Sequence, residues 1–162
     1  MTIQELELLK AGILNEVEGE TFYRLAAEHL GSGEIQSLLL HLADEEVKHQ
    51  ETLRKLYTEL LKEPNPTESL DLTDIPSTGI FDLMKLGSLQ GNLEISVVSA
   101  GVLMEKASID YYDRAAAQSV QKAVQELCRY LSSWEREHLE KLEIIYDHLQ
   151  VEWFEQQGFS AS

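Results

Sequence analysis

Apolar side chains recur along this chain every three or four residues, the period of a helix face rather than the alternation of a strand. Leu6, Leu9, Ile13, Val17 and Leu25 mark a first face. Thr2 and Glu5 have the spacing of a capping box, and Gly31-Ser32-Gly33 supplies a stop and a new start. A first helix is therefore expected over 3–29. A second is expected over 34–62, with a stripe of Ile35, Leu38, Leu42, Glu46, His49, Leu53, Tyr57 and Leu60. Pro64, Pro66 and Pro76 then interrupt helical pattern, because proline lacks the amide donor and pushes the residue before it out of helix. Residues 63–91 read as a long crossover, with a short helix expected over 79–90. Gly91-Asn92 is a break followed by an N-cap, and a third helix follows over 93–117. A turn near Gln118-Ser119 leads to a fourth over 120–150. The tail, 151–162, carries Trp153, Phe154 and Phe159 and is expected to dock on the helices. No segment has strand alternation. The pattern predicts an all-α chain, residues 1–162 forming one domain. It is a four-helix bundle with a long crossover between its second and third helices.

One feature breaks the apolar stripe of the second helix. Glu46 and His49 lie in it, three residues apart and so on one face, one turn from each other. A carboxylate and an imidazole so placed can grip one metal ion. The same spacing returns 89 residues later in Glu135-Arg136-Glu137-His138.

That interval is a repeat. Residues 5–60 lie over 94–149 without a gap, with 17 identities in 56 pairs. Ala11-Gly12-Ile13-Leu14 falls on Ala100-Gly101-Val102-Leu103, Tyr23 on Tyr112, and Ala26-Ala27 on Ala115-Ala116. Leucines alone align by composition, but two Glu-x-x-His motifs and two Glu-x₆-Tyr pairs in one register do not. The chain is thus expected to be two helical hairpins related by a pseudo-twofold axis. Among Glu16, Glu18 and Glu20, only Glu16 has an acidic repeat mate, Glu105. The candidate ligands are Glu16, Glu46, His49, Glu105, Glu135 and His138.

Carboxylates with imidazoles suit divalent iron, manganese or zinc. Four glutamates and two divalent ions cancel in charge. Two helices giving one Glu each, and two giving Glu-x-x-His each, is the arrangement of ferritin-like dinuclear sites. Glu16 and Glu105 would be terminal ligands, Glu46 and Glu135 would bridge, and each histidine would cap one ion. Tyr23 and Tyr112 lie two turns on; their hydroxyls either bond to carboxylates of the opposite hairpin or simply fill the core.

Composition narrows the classes. With 29 acidic against 13 basic residues the net charge is −16, which argues against nucleic-acid and anionic-membrane partners. Cys128 is the single cysteine, so an internal disulfide framework, a Cys₄ zinc site and a rubredoxin-type iron site are excluded. It is read as a core hydrophobe, and His29, His41 and His148 are read as surface residues. The N-terminal residues lack the basic and apolar runs of a signal peptide, and no apolar run is long enough for a membrane span. A cytoplasmic location is expected.

Through Glu16-x₆-Tyr23, Glu46-x-x-His49, Glu105-x₆-Tyr112 and Glu135-x-x-His138, the chain resembles rubrerythrin-type members of the ferritin-like superfamily. The resemblance implies a non-haem di-iron centre, with manganese or zinc as alternatives, that reacts with hydrogen peroxide or dioxygen. It also implies a homodimer or higher homo-oligomer. Two departures follow. The Cys-x-x-Cys rubredoxin domain is absent, so electrons would come from an external donor such as a rubredoxin-like protein. The extra glutamate that rubrerythrins place one turn after the third-helix ligand is Ser108 here, which weakens the peroxidase reading; Glu20 is a candidate substitute ligand. Iron oxidation for storage or delivery is the alternative function, and a non-enzymatic metal-binding bundle the second alternative.

Overall fold

A computed structural model of the chain describes residues 3–61, 72–82 and 92–158. These form four helices: α1 (Ile3–Leu30), α2 (Glu34–Leu61), α3 (Leu93–Gln118) and α4 (Lys122–Gln156). No strand occurs among the described residues. The hairpins α1/α2 and α3/α4 are the tightly packed pairs, as the repeat predicts. Gly31 and Gly33 take φ of +77° and +124°, the conformation that lets the chain reverse between α1 and α2. Asn92 caps α3, its side-chain oxygen accepting from Ile95 N–H at 3.2 Å.

Thr2, Pro64, Pro66, Gly91, Phe159 and 83–90 of the expected short helix lie outside the described residues. Residues 79–82 are not helical. The described part of the crossover runs alongside α1. Thr78 donates to Asn15 Oδ1 at 2.8 Å, Ser77 donates to Glu18 at 2.8 Å, and Phe81 is buried against Phe22 and Tyr23.

Two apolar cores occupy the two halves of the bundle. One gathers Phe22, Ala26, Leu39, Leu42, Val97, Val98 and Leu142. The other gathers Leu9, Ile13, Leu53, Ala115, Val124 and Leu131. On every helix the candidate ligands fall in sequence between the two sets, so the molecule is layered apolar, polar, apolar. This layering corrects the expected stripes. Leu6, Val17 and Leu25 on α1, and Leu38, Tyr57 and Leu60 on α2, are only half-buried. Glu16, Gly19, Leu39, Ala43 and Gln50 are buried instead.

Glu5 does more than the N-terminal pattern suggests. Buried at the start of α1, it accepts from Ser119 Oγ at 2.7 Å, Val120 N–H at 3.0 Å and Gln121 N–H at 2.8 Å. It thereby holds the loop before α4, whose N-cap Gln121 makes no side-chain cap of its own.

Among its described residues, the tail does not dock as expected. Residues 151–156 continue α4, and Trp153 and Phe154 are 39 % and 49 % exposed. No helix among the described residues is long and apolar enough to cross a membrane.

Candidate metal centre

All six predicted ligands meet in the polar layer. Glu16, Glu46, Glu105 and Glu135 are 0 % exposed, and His49 and His138 are 3 % and 1 % exposed. Potential ligand atoms of Glu16, Glu46, His49 and Glu135 lie within 4.8 Å of one another, and so do those of Glu46, Glu105, Glu135 and His138. Glu46 and Glu135 belong to both groups.

The pseudo-twofold relation extends to individual contacts. His49 Nδ1 stands 3.0 Å from Glu16, 3.2 Å from Glu46 and 3.6 Å from Glu135. His138 Nδ1 stands 3.5 Å from Glu105, 3.1 Å from Glu135 and 3.3 Å from Glu46. The two imidazoles stack with centroids 5.2 Å apart. The tyrosines cross between hairpins. Tyr23 on α1 donates to Glu105 on α3, and Tyr112 on α3 donates to Glu16 on α1. Gly12 and Gly101, repeat mates themselves, lie beside them: a Cβ would be in ordinary contact with the Tyr112 hydroxyl at 3.6 Å in one case and the Tyr23 ring at 3.7 Å in the other.

Glu20 is not brought in. It bonds instead to Arg24 at 2.9 Å and to Gln50 at 3.0 Å. Ser108 is buried and accepts from Asn15 Nδ2 at 3.3 Å. His29, His41 and His148 are exposed, as expected. Cys128 is buried, and burial pushes its thiol up to about 12, which makes it inert.

Without metal the centre is held by protons. Burial, then the charges of Glu135 and Glu16, raise Glu46 well above the ordinary carboxylate range. Burial and the Glu135 charge push Glu105 up to about 8. Burial also opposes ionisation of Glu135, but the close approach of the His138 and His49 imidazoles, at 3.1 and 3.6 Å, outweighs it and holds that carboxyl below its usual range. Burial would lower His49; Glu135, Glu16 and Glu46 overcome it and push the imidazole up to about 12. His138 is raised in the same way, by Glu105, Glu135 and Glu46. Both tyrosines are raised by burial and by the carboxylates they face, so they remain donors.

Hydrogen bonding leaves this centre unfinished. Glu46 Oε1, Glu105 Oε2, both carboxylate oxygens of Glu135 and His138 Nδ1 are buried with no hydrogen-bond partner. Five such atoms converging on one point would be costly in a finished core. They fit divalent cations, which accept lone pairs from all of them and cancel the carboxylate charge.

Three residues near the centre escaped the sequence reading. Glu45 accepts from His138 Nε2 at 3.0 Å and pairs with Lys141 at 3.1 Å. Trp134 stacks on His49, centroids 4.9 Å apart and planes 9° from parallel. Phe81 lies where a Cβ on Gly19 would come within 3.2 Å of it and 3.4 Å of the Glu46 carboxyl carbon. Glu45 and Trp134 are repeat mates, but the search for identical pairs passes over a position where Glu meets Trp. A pocket of about 250 Å³ opens beside the two histidines, lined by Glu45, Lys48, His49, Trp134, Glu137 and His138. These are three repeat-related pairs, so the pocket lies on the pseudo-twofold axis.

A search of curated protein sequences finds no match. Among solved structures, the "Hypothetical Protein Pfu-1136390-001" from Pyrococcus furiosus is similar, with a TM-score of 0.66, 24 % identity and 90 % of each chain covered; that likeness supports the ferritin-like fold alone. The rubrerythrin family model matches residues 7–146, a span that contains all six clustered glutamates and histidines and both crossing tyrosines. On that match the chain belongs to the rubrerythrin family.

Proposed function

We propose that this protein is a non-haem di-iron oxidoreductase that reduces hydrogen peroxide or dioxygen with electrons from an external donor. The observation that carries the reading is the buried cluster of four glutamates and two histidines, three residues from each hairpin, in which five ligand atoms lack a hydrogen-bond partner. Glu16 and His49 would hold one ion and Glu105 and His138 the other, each together with Glu46 and Glu135. Two Fe(II) ions would supply one electron each, so that H₂O₂ takes up two electrons and two protons to give two waters. The chain's own residues do the rest. Apolar layers on both sides exclude water, Tyr23 and Tyr112 orient the outer carboxylates, and the axial pocket admits a small molecule beside the histidines. A donor such as a rubredoxin-like protein would return the electrons, in a homo-oligomer of a reducing cytoplasm that suits the single buried thiol.

The test is metal analysis of protein purified without chelator, followed by anaerobic reduction and addition of peroxide. Two iron ions per chain, oxidised at one peroxide per pair, are expected. Zinc with no redox response would sink the proposal. Iron oxidation for storage or delivery is the second reading, favoured by the net charge of −16 and by Glu45 and Glu137 at the pocket. It requires Fe(II) to be turned over as substrate. A shell-sized particle on gel filtration supports it, and a dimer does not.

A further inference from the structure

The six ligands obey the pseudo-twofold relation, but the residues behind the two histidines do not. On one side Glu45 accepts from His138 Nε2 at 3.0 Å, and Glu45 is itself fixed by Lys141 at 3.1 Å and His41 at 3.4 Å. On the other, the mates of His41 and Glu45 are Tyr130 and Trp134. They form an aromatic pair with centroids 6.3 Å apart, and Trp134 lies flat on His49. No described residue hydrogen-bonds to His49 Nε2. One imidazole is therefore oriented by a charged acceptor, the other by a stacking surface.

An acceptor on the far nitrogen fixes the tautomer that presents a lone pair at Nδ1 and raises the basicity of that atom. Stacking fixes the ring plane but does neither. We propose that Glu45 is a positioning residue for His138 and that, with Trp134 in its place on the other side, the two ion positions are unequal, the one capped by His138 filling first. The inference rests on the dinuclear reading of the centre.

Trp134 also provides the means to see it. The chain has two tryptophans, and the other, Trp153, lies at the exposed end of α4. In a Trp153→Phe background, fluorescence reports from Trp134 alone, against the ring of His49. Titration with Co(II), whose visible absorption counts both ions and whose unpaired electrons quench a nearby indole, separates the positions. The first equivalent is expected to raise absorbance with little quenching, and the second to quench. Glu45→Ala should weaken the first step by about 10–100-fold. Glu45→Gln, which keeps an acceptor oxygen, should lose less. Glu45 is 25 % exposed and lies outside the apolar cores, and a helical spectrum with an unshifted melting temperature verifies that the variants fold. Quenching that follows the first equivalent, or an unchanged first step in Glu45→Ala, overturns the inference while leaving two ions per chain. Fewer than two ions in the Trp153→Phe protein overturns the dinuclear reading and this inference with it.

Discussion

Tyr112 on α3 donates its phenolic hydrogen to Glu16 on α1, joining the two hairpins through a hydrogen bond buried beside the clustered glutamates and histidines. A phenol bonded to a carboxylate in a dry layer is a charge-assisted contact, worth about 1.5–3 kcal/mol. Tyr112→Phe is expected to lower the unfolding free energy of the metal-free protein by that amount. Tyr23→Phe, at the related bond to Glu105, should cost less at neutral pH, about 0.5–1.5 kcal/mol, because Glu105 keeps its proton up to about pH 8. Urea denaturation measures both, and wild-type midpoints in the two variants would show that the hydroxyls contribute nothing.

Glu46 and Glu135 stand in both groups of potential ligand atoms, whereas Glu20 is turned away to Arg24 and Gln50. Glu46→Ala or Glu135→Ala should abolish binding of the ion pair, leaving at most one ion per chain. Glu20→Ala should keep two. Metal analysis after gel filtration decides, and loss of an ion in Glu20→Ala would restore that residue as a ligand.

Stability of the metal-free protein should fall as pH rises. Glu105 keeps its proton up to about pH 8 when folded, while the unfolded chain releases it near the ordinary value of about 4.3. Between those values the folded state binds more protons, so unfolding becomes easier with each step up in pH. His49 acts in the same direction from about 6.5 upward. Glu135 acts oppositely, contributing stability above about 4.3 that is lost on acidification. The melting temperature of metal-free protein should drop from about pH 6 to 8, and that of loaded protein much less, because bound cations have replaced the protons. Equal pH dependence of the two forms would falsify this account.

The clustering of the six residues was legible in the sequence because the gapless repeat separated Glu16 from Glu18 and Glu20 and paired it with Glu105. The helix ends were legible where glycine or asparagine supplied them, at Gly31, Gly33 and Asn92. Other features depend on tertiary contact and leave no periodic trace. Leu38 and Leu60 look like core residues by spacing, yet Leu39, Ala43 and Gln50 are the side chains that are buried. Glu45 and Trp134 were hidden because they perform a related task with unlike chemistry.

Glu5 illustrates the same limit. Its local pattern points to its own helix, but its carboxylate also holds Ser119, Val120 and Gln121 in the other hairpin. Glu5→Ala leaves two backbone N–H groups without this acceptor and should destabilise the protein by about 1–3 kcal/mol. Amide exchange should accelerate at the start of α4 more than at its middle. Uniform exchange along the helix would contradict that role.

The repeat has a further consequence. Two separate, identical hairpins joined about a true twofold axis would have to make both halves of the centre alike, since any change in one copy appears in the other. A single chain carrying both hairpins is free of that constraint. It can keep the six clustered glutamates and histidines matched and still set Glu45 against Trp134 and lay Phe81 beside Gly19 where α3 has Ser108. Covalent linkage of the halves lets a symmetric cage develop a front and a back.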